Sequence, residues 1–301
     1  MGTGIVSLGF SYDGRVTLER ILFAIAAAAW VALVPLFAAH FSGPRERRLA
    51  PGVLTCVTAT AVLGSGIVRL GSGAAGAAAL SVALALWVVL LPGVLGHLST
   101  PVSGTGFMVV VSTEALAVLA ASVAPALGAA WLLDASLAPL VAGIAVYAFA
   151  LARFDRHELQ RGPGDHWVAG GALGICALAA AEILTGARAL GTLEGLRPVL
   201  EDGALVLWAL AALWLPVLVM CEAAWPRPRY TGKRWATVFP LGMYAVSSFA
   251  VGSAAGASAL TGFARVWVWI AAAAWLLVSL GLLRQALRLR AQGPPRRARS
   301  G

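Results

Sequence analysis

Charged residues are scarce in this chain. Asp, Glu, Lys and Arg together make up 12% of its 301 residues, whereas apolar residues make up 60%. Soluble domains carry about 25% charged residues, and a soluble core cannot absorb such an apolar excess, because its surface still has to face water. The mean hydropathy of +0.85 therefore indicates that the solvent is lipid, and it predicts an integral membrane protein.

Cysteine and histidine are also few, and their spacing matches no common metal or disulfide pattern. The three cysteines lie in separate apolar runs without a CxxC pair, so neither a disulfide framework nor a zinc site is indicated. The four histidines fall at or beyond the ends of the apolar runs, and no Ser, His and acid cluster lies at membrane depth. We therefore expect no catalytic residue, no metal ion and no cofactor, which disfavours an intramembrane enzyme.

Long apolar runs separated by short polar breaks predict an all-α protein with ten membrane-spanning helices. Most runs have about 20 residues, the length that crosses a hydrocarbon layer of ~30 Å, and helices satisfy their own backbone groups there. No break is long enough for a separate soluble domain, so we expect one transmembrane domain over residues 1–288 and a basic, unstructured tail over 289–301. The predicted spans cover residues 1–11, 20–41, 50–70, 74–96, 104–125, 136–154, 166–187, 203–224, 234–255 and 263–288.

Two short stretches bear on this count. The first span, MGTGIVSLGF, has about half the length that a membrane crossing needs. We therefore expect that this helix is truncated at its N-terminus and that the native start lies upstream of Met1. The stretch GSGAAG at 71–76 matches GxGxxG, but it follows no strand, so it predicts a tight hairpin turn rather than a dinucleotide site.

The placement of the basic residues predicts the topology. Most of the 22 lysines and arginines fall in alternate loops and in the C-terminal tail, as the positive-inside rule requires of cytoplasmic segments. An even number of spans in the plasma (inner) membrane with both termini cytoplasmic satisfies this pattern. The net charge of +9 is then a topology signal, so we expect no nucleic-acid partner. The loop residues concerned are Arg45, Arg47, Arg48, Arg153, Arg156, Arg161, Arg227, Arg229, Lys233 and Arg234.

Small residues are concentrated in the odd-numbered spans, whereas the even-numbered spans are bulkier. Small residues allow close helix packing or leave room for a lumen. The alternation predicts five helix hairpins around a central pore, with the odd helices inside and the even helices facing lipid; glycine packing alone is the other interpretation. The candidate pore-lining residues are Gly2, Thr3, Gly4, Thr113, Glu114, Gly170, Gly171, Met243 and Ser247.

The stretch WATVFPLGMYAVSS at 235–248 suggests a constriction. Pro240 removes a backbone donor, and together with Gly242 it predicts a helix kink. Phe239 immediately precedes this kink as a bulky ring among small residues. It is either a hydrophobic plug in a narrow lumen or an ordinary packing residue.

Two acids fall inside predicted spans. Glu114 lies near the middle of the fifth span and Glu182 toward the outer end of the seventh. A charged group at the centre of a spanning helix costs about 2.5–3.5 kcal/mol on translocon scales, so each should face a cavity or a partner. Each is either a titrating group beside a substrate or a protonated carboxyl hydrogen-bonded between helices.

Four stretches resemble motifs of one known family. MGTGIVSLGF resembles the first-helix motif and RWATVFPLGMYAVSS the ninth-helix motif of the tellurite-resistance/C4-dicarboxylate transporter family. This superfamily includes bacterial tellurite-resistance proteins, fungal malate and sulfite transporters and plant slow anion channels. VVVSTEALAVLAA and DHWVAGGALGI resemble its fifth and seventh helices, so the resemblance covers essentially the whole chain.

The resemblance implies a homotrimer in which each protomer carries small anions, inorganic or carboxylate, through its own pore. The odd helices line this pore, and the phenylalanine before the ninth-helix proline, here Phe239, occludes it. A fixed charge at Glu114 would repel anions in a low-dielectric lumen, so three readings of Glu114 stay open. It is protonated at rest, it faces a neighbouring helix, or it couples protons to anion movement.

Three functions follow from these readings. The first is an anion channel or uniporter gated by Phe239. The second is a proton-coupled carrier of C4-dicarboxylate, sulfite or tellurite that uses Glu114 as its titrating group. The third, a non-transporting scaffold or intramembrane enzyme, has no support in the sequence.

Overall fold

The computed structural model describes residues 1–41, 49–162, 164–226 and 230–291, and long α-helices make up most of them. Within these residues, nine helices are long and apolar enough to cross a membrane, whereas the first has 11 residues. Short 3₁₀ turns lead into α3, α5, α8 and α9. The helices are α1 (Gly2–Tyr12), α2 (Val16–Phe41), α3 (Thr55–Arg69), α4 (Gly73–Leu95), α5 (Met108–Leu127), α6 (Trp131–Ala152), α7 (Trp167–Leu190), α8 (Arg197–Ala224), α9 (Trp235–Ala254) and α10 (Ser258–Ala291).

Several helices extend beyond their apolar runs. α8 begins at Arg197 rather than at residue 203, and α10 covers Ser258–Ala291 rather than 263–288. Hydropathy marks the part of a helix that contacts lipid, whereas the helix itself continues through polar residues at either end. The first three residues of the predicted tail therefore belong to α10, and the rest of that tail, 292–301, lies outside the described residues, as do the basic residues within 42–48 and 227–229.

The helices divide into an inner and an outer set. Most residues of α1, α5, α7 and α9 are buried, and α3 is buried over about half its length, whereas α2, α4, α6, α8 and α10 expose most of theirs. This is the division into inner odd helices and outer even helices that the alternation of small residues predicts. The predicted turn between α3 and α4 is present as well, with Gly71 at a φ of 98° that favours glycine.

The inner helices contact one another in a closed cycle. α1 packs against α3, α3 against α5, α5 against α7 and α7 against α9, and α9 packs against α1. Each outer helix packs behind two of them: α2 on α1 and α3, α4 on α3 and α5, α6 on α5 and α7, α8 on α7 and α9, and α10 on α9 and α1. A side chain that joins two non-neighbouring inner helices must therefore cross the middle of this ring.

Tryptophans attach the outer layer to the inner ring. Four outer helices each donate an indole N–H to a hydroxyl on the inner helix that follows in the cycle. Such pairing satisfies a polar group that would otherwise be buried in an apolar setting, and it fixes the rotation of the inner helices. The bonds are Trp30 to Thr60 (3.1 Å), Trp87 to Thr113 (3.1 Å), Trp208 to Ser248 (2.7 Å) and Trp275 to Thr3 (2.9 Å).

Glycines allow the inner helices to approach closely, and Gly171 of α7 is one example. A Cβ added at this position would lie 3.0 Å from Cα of Pro240 on α9, closer than ordinary van der Waals contact. The obstacle includes backbone, so a side-chain rotation alone cannot relieve it. The crossing of α7 and α9 beside Phe239 therefore depends on glycine at residue 171.

We expect the Gly171→Ala variant to unfold at a lower temperature in detergent, with a loss of about 1–3 kcal/mol from overpacking. The matched control is Gly203→Ala on α8, where nothing lies within 4 Å of an added Cβ. That substitution should stabilise the protein by about 0.5–1 kcal/mol, because glycine is a poor helix former. Equal shifts in the two melting temperatures would contradict the close packing at Gly171.

Candidate functional site

Phe239 is directed toward the middle of the inner ring. Its chain neighbours pack sideways, with Val238 against Gly2 of α1 and Pro240 against Gly171 of α7. Because successive helical residues are about 100° apart, the side chain between these two points between α1 and α7. Ser248, nine residues later and therefore on the opposite side of α9, accepts a hydrogen bond from Trp208 of the outer helix α8, so Phe239 points to the interior of the ring.

The interior of the ring is closed at the height of Phe239 along the helix axes. The side chain of Phe239 has no exposed surface, so water does not reach it from either end. Tyr244 lies on the opposite side of α9, where its hydroxyl donates a hydrogen bond of 2.9 Å to the carbonyl of Ala211 on α8. The α9 helix is continuous through Pro240, and the predicted kink stays a prediction.

The other candidates on α9 lie beside its neighbours in the ring. Gly242 packs against Ile5 of α1. Met243 and Ser247 face Gly174 of α7, where an added Cβ would lie 3.8 and 3.7 Å from their atoms. All three therefore flank the inward face on which Phe239 stands.

The α1 candidates lie at helix contacts. Gly2 packs against Val238 and Gly4 against Val62 of α3, while Thr3 accepts the hydrogen bond from Trp275. Thr3 and Gly4 also border an apolar groove of about 760 Å³ among α1, α2, α3 and α4. The Thr3 hydroxyl is thus engaged by the outer layer.

Gly170 of α7 is also directed outward. A Cβ added there would meet the Tyr244 hydroxyl together with Leu218 and Trp214 of α8. Gly170 and Gly171 therefore serve different contacts, the first with the outer helix α8 and the second with the inner helix α9.

Glu114 faces an outer helix. Its carboxylate is fully buried against Gly143 of α6 and beside the Cys176 thiol of α7. The adjacent Thr113 accepts the hydrogen bond from Trp87 of α4. Both side chains thus leave α5 toward the outer layer. For Glu114 this corresponds to the reading in which it faces a neighbouring helix.

Inward-facing hydroxyls on α3 were missed in the sequence. Thr60 bonds Trp30 of α2, so a residue two positions earlier lies on the opposite, inner side of α3. That residue is Thr58, which is fully buried and whose hydroxyl has no partner in the described part of the chain. Ser65 follows seven residues later on the same face, and this spacing is the signal that would have identified the pair.

A polar cluster joins all five inner helices near their C-terminal ends. The Tyr12 hydroxyl donates to Oε1 of Glu182. The Ser122 hydroxyl donates its one proton to the carbonyl of Val118 at 2.9 Å and lies 3.4 Å from Oε2 of the same carboxylate. The guanidinium of Arg69 lies 3.6 Å from the centroid of the Tyr12 ring, and the Phe249 ring stacks on Tyr12 at 6.0 Å between centroids. The cluster, which we call the Tyr12 cluster, comprises Tyr12 (α1), Arg69 (α3), Ser122 (α5), Glu182 (α7) and Phe249 (α9).

The Tyr12 cluster crosses the ring interior. α1 and α7 are not neighbours in the cycle, so the hydrogen bond between Tyr12 and Glu182 spans its middle. Tyr12, Ser122 and Glu182 are half-buried and Arg69 is exposed, which indicates that water reaches the cluster from this end. The sequence identified Glu182 by its depth but not its partners.

A charged group lies at the opposite end, before α7 and α9. Asp165 is buried and pairs with the exposed Lys233 at 3.4 Å. Burial raises the pKa of the nearby Glu158 carboxyl, and the negative charge of Asp165 raises it further. Both entrances of the ring therefore carry a basic residue, Lys233 at the Phe239 end and Arg69 at the other.

A multi-pass helical membrane protein with a closed ring of inner helices is the class that this architecture defines. The family model described as voltage-dependent anion channel, SLAC1, matches residues 1–283. The chain therefore belongs to the SLAC1 family, whose members transport anions across membranes, and the resemblance drawn from the four motifs is confirmed.

Two curated relatives match part of the chain. Uncharacterized membrane protein Rv1735c of Mycobacterium tuberculosis (strain H37Rv) is 31% identical over 152 residues, which cover 46% of this chain and 74% of that protein. Uncharacterized membrane protein MT1776 of strain CDC 1551 gives the same values. No solved structure gives a significant match.

Proposed function

We propose that this protein is an anion channel or uniporter of the plasma membrane, in which anions pass through the middle of the inner ring. The ten helices form five hairpins with both termini cytoplasmic, in which nine helices cross the membrane and the 11-residue α1 crosses part of it. Each subunit of a homotrimer has its own pore. The observation that carries this proposal is the closed cycle of five inner helices with Phe239 directed into it.

The groups around this route suit an anion. The hydroxyl of Thr58, which has no partner among the described residues, and that of Ser65 offer hydrogen-bond donors within the ring. Arg69 attracts anions to one entrance, whereas Lys233 at the other is paired with Asp165. The carboxylate of Glu114 is directed away from the route, toward α6, so it does not place a negative charge in the anion's path. Phe239 acts as a hydrophobic gate, since an apolar constriction excludes water.

A proton-coupled carrier of C4-dicarboxylate, sulfite or tellurite is the second candidate. The observation in its favour is that the carboxyl of Glu114 is fully buried beside the Cys176 thiol, which is only a weak hydrogen-bond donor. A carboxyl in such a setting is a candidate proton carrier. The direction of its side chain, toward Gly143 of α6, is the reason we prefer the channel.

Voltage clamping of the purified protein in planar bilayers separates these two functions. The measurement uses the Phe239→Ala background, in which the gate is open. We expect a reversal potential that follows the anion gradient and is indifferent to a pH gradient, both in this background and after adding Glu114→Gln. The matched control is Glu201→Gln, which removes a carboxylate paired with Arg188 at the exposed surface. A reversal potential that tracks pH and loses this dependence only in Glu114→Gln would establish the carrier instead. A panel of chloride, nitrate, sulfite, malate and tellurite then identifies the anion.

A further inference from the structure

The Tyr12 cluster has the chemistry of an anion site that is already occupied. The Tyr12 hydroxyl donates to the Glu182 carboxylate, and the Arg69 guanidinium lies over the Tyr12 ring. The Ser122 hydroxyl lies 3.4 Å from the same carboxylate and can rotate from the Val118 carbonyl toward an anion. Converging donors beside a guanidinium are what proteins use to hold carboxylates and oxyanions. Here the bound anion is a side chain of the protein itself, Glu182.

The position of the cluster places it on the proposed route. It joins residues from all five inner helices, and its central hydrogen bond crosses the ring. Phe249 lies ten residues after Phe239 on α9, which corresponds to about 15 Å of helix. The cluster therefore blocks the interior of the ring at a second height, separate from the water-free height of Phe239. Because the cluster is partly exposed, solutes can reach it from the other end of the ring.

We propose that the Tyr12 cluster is a binding site for the transported anion, and that Glu182 is a tethered occupant that the anion displaces. This inference rests on the proposed function. A small anion attracted by Arg69 takes over the hydrogen bond from Tyr12, the Ser122 hydroxyl rotates from the Val118 carbonyl toward the anion, and Glu182 moves aside. The negative charge of Glu182 thus competes with the anion, so the resting protein is closed here as well as at Phe239.

Anion flux into liposomes tests this assignment in the Phe239→Ala background, where the other closure is relieved. Glu182→Ala should raise the initial flux and lower the half-saturating anion concentration by on the order of tenfold, since it removes a hydrogen-bonded competitor from the site. Glu182→Gln, which keeps the side-chain shape, should lower that concentration by a smaller factor. Adding Tyr12→Phe to Glu182→Ala should reverse the gain in affinity, because the ring stays while the hydroxyl donor is lost. The matched control is Glu201→Ala, whose carboxylate pairs with Arg188 outside the ring, and it should change neither quantity.

A binding measurement tests the proposed anion site independently of the proposed transport. Nitrate should raise the melting temperature of Glu182→Ala in detergent more than that of the wild type, because a ligand stabilises the state to which it binds. If Glu182→Ala and Glu182→Gln conduct like their Phe239→Ala parent at every anion concentration, the site assignment is wrong and the channel stands. If no variant conducts any anion while nitrate still stabilises Glu182→Ala, the site stands and the proposed transport function is wrong. If no variant conducts any anion and nitrate does not stabilise Glu182→Ala, both the site assignment and the proposed transport function are wrong.

Discussion

Replacing Phe239 by alanine is expected to raise the anion flux of the reconstituted protein by roughly tenfold or more. The aromatic side chain of Phe239 is fully buried within the inner cycle of helices. Its removal therefore leaves a gap at the height where water is excluded from the proposed pore. Water and anions can then enter a constriction that had excluded them. Stopped-flow measurement of chloride or nitrate entry into liposomes reports the change.

Two further variants make this result specific. Phe239→Leu should give an intermediate flux, because it removes only part of the apolar volume. Phe263→Ala should leave the flux unchanged, because Phe263 lies on the outer helix α10, where it stacks on Trp267 at 5.1 Å between centroids. A folded Phe239→Ala protein that conducts no better than the wild type would show that Phe239 is a packing residue.

Replacing Gly143 by alanine is expected to destabilise the protein by about 1–3 kcal/mol through overpacking. The new Cβ would run into the carboxylate of Glu114, which is enclosed between α5 and α6. Removing that carboxylate should relieve the conflict, so Glu114→Ala should recover much of the stability in the Gly143→Ala background. Thermal unfolding of both single variants and the double variant measures this coupling.

The control for this cycle is Gly262→Ala on α10, where nothing lies within 4 Å of an added Cβ. Its effect should be small and should not depend on residue 114. If the effects of Gly143→Ala and Glu114→Ala simply add, then the carboxylate is not held against α6. The interpretation that Glu114 faces this neighbouring helix then loses its support.

The division into inner and outer helices was predictable because the amino-acid composition of a helix depends on whether it contacts lipid or other helices. Residues that face lipid are large and apolar, whereas small residues such as Gly171 and Gly242 are needed where inner helices cross. Helix ends were less predictable: α8 begins at Arg197 and α10 at Ser258, since polar residues outside the hydrocarbon layer continue a helix without changing its hydropathy.

The direction of individual side chains was only partly predictable. Phe239 could be singled out because it precedes Pro240 in a distinctive stretch. The hydroxyls of Thr3 and Thr113 were expected to line the pore, yet both accept hydrogen bonds from outer-helix tryptophans. Those tryptophans are remote in sequence, at residues 275 and 87, and the rotation they impose cannot be read from one helix.

The Tyr12 cluster was the least predictable feature. Its members are spread from residue 12 to residue 249. Four of them look like isolated polar residues toward a helix end, and Phe249 looks like an ordinary apolar residue. Their meeting depends on the relative heights of five helices, which the loops and packing decide. Depth alone identified Glu182, and only the fold brings Tyr12 to it as a hydrogen-bond donor and Ser122 beside it.

The most direct test of the central claim, that anions pass through the inner ring past Phe239, is the reversal potential of the Phe239→Ala protein. The purified variant is placed in a planar bilayer between two concentrations of potassium chloride. We predict a current, larger than that of the wild type, that reverses at the chloride equilibrium potential. A current that reverses at the potassium equilibrium potential, or no current beyond that of the wild type, would contradict the account.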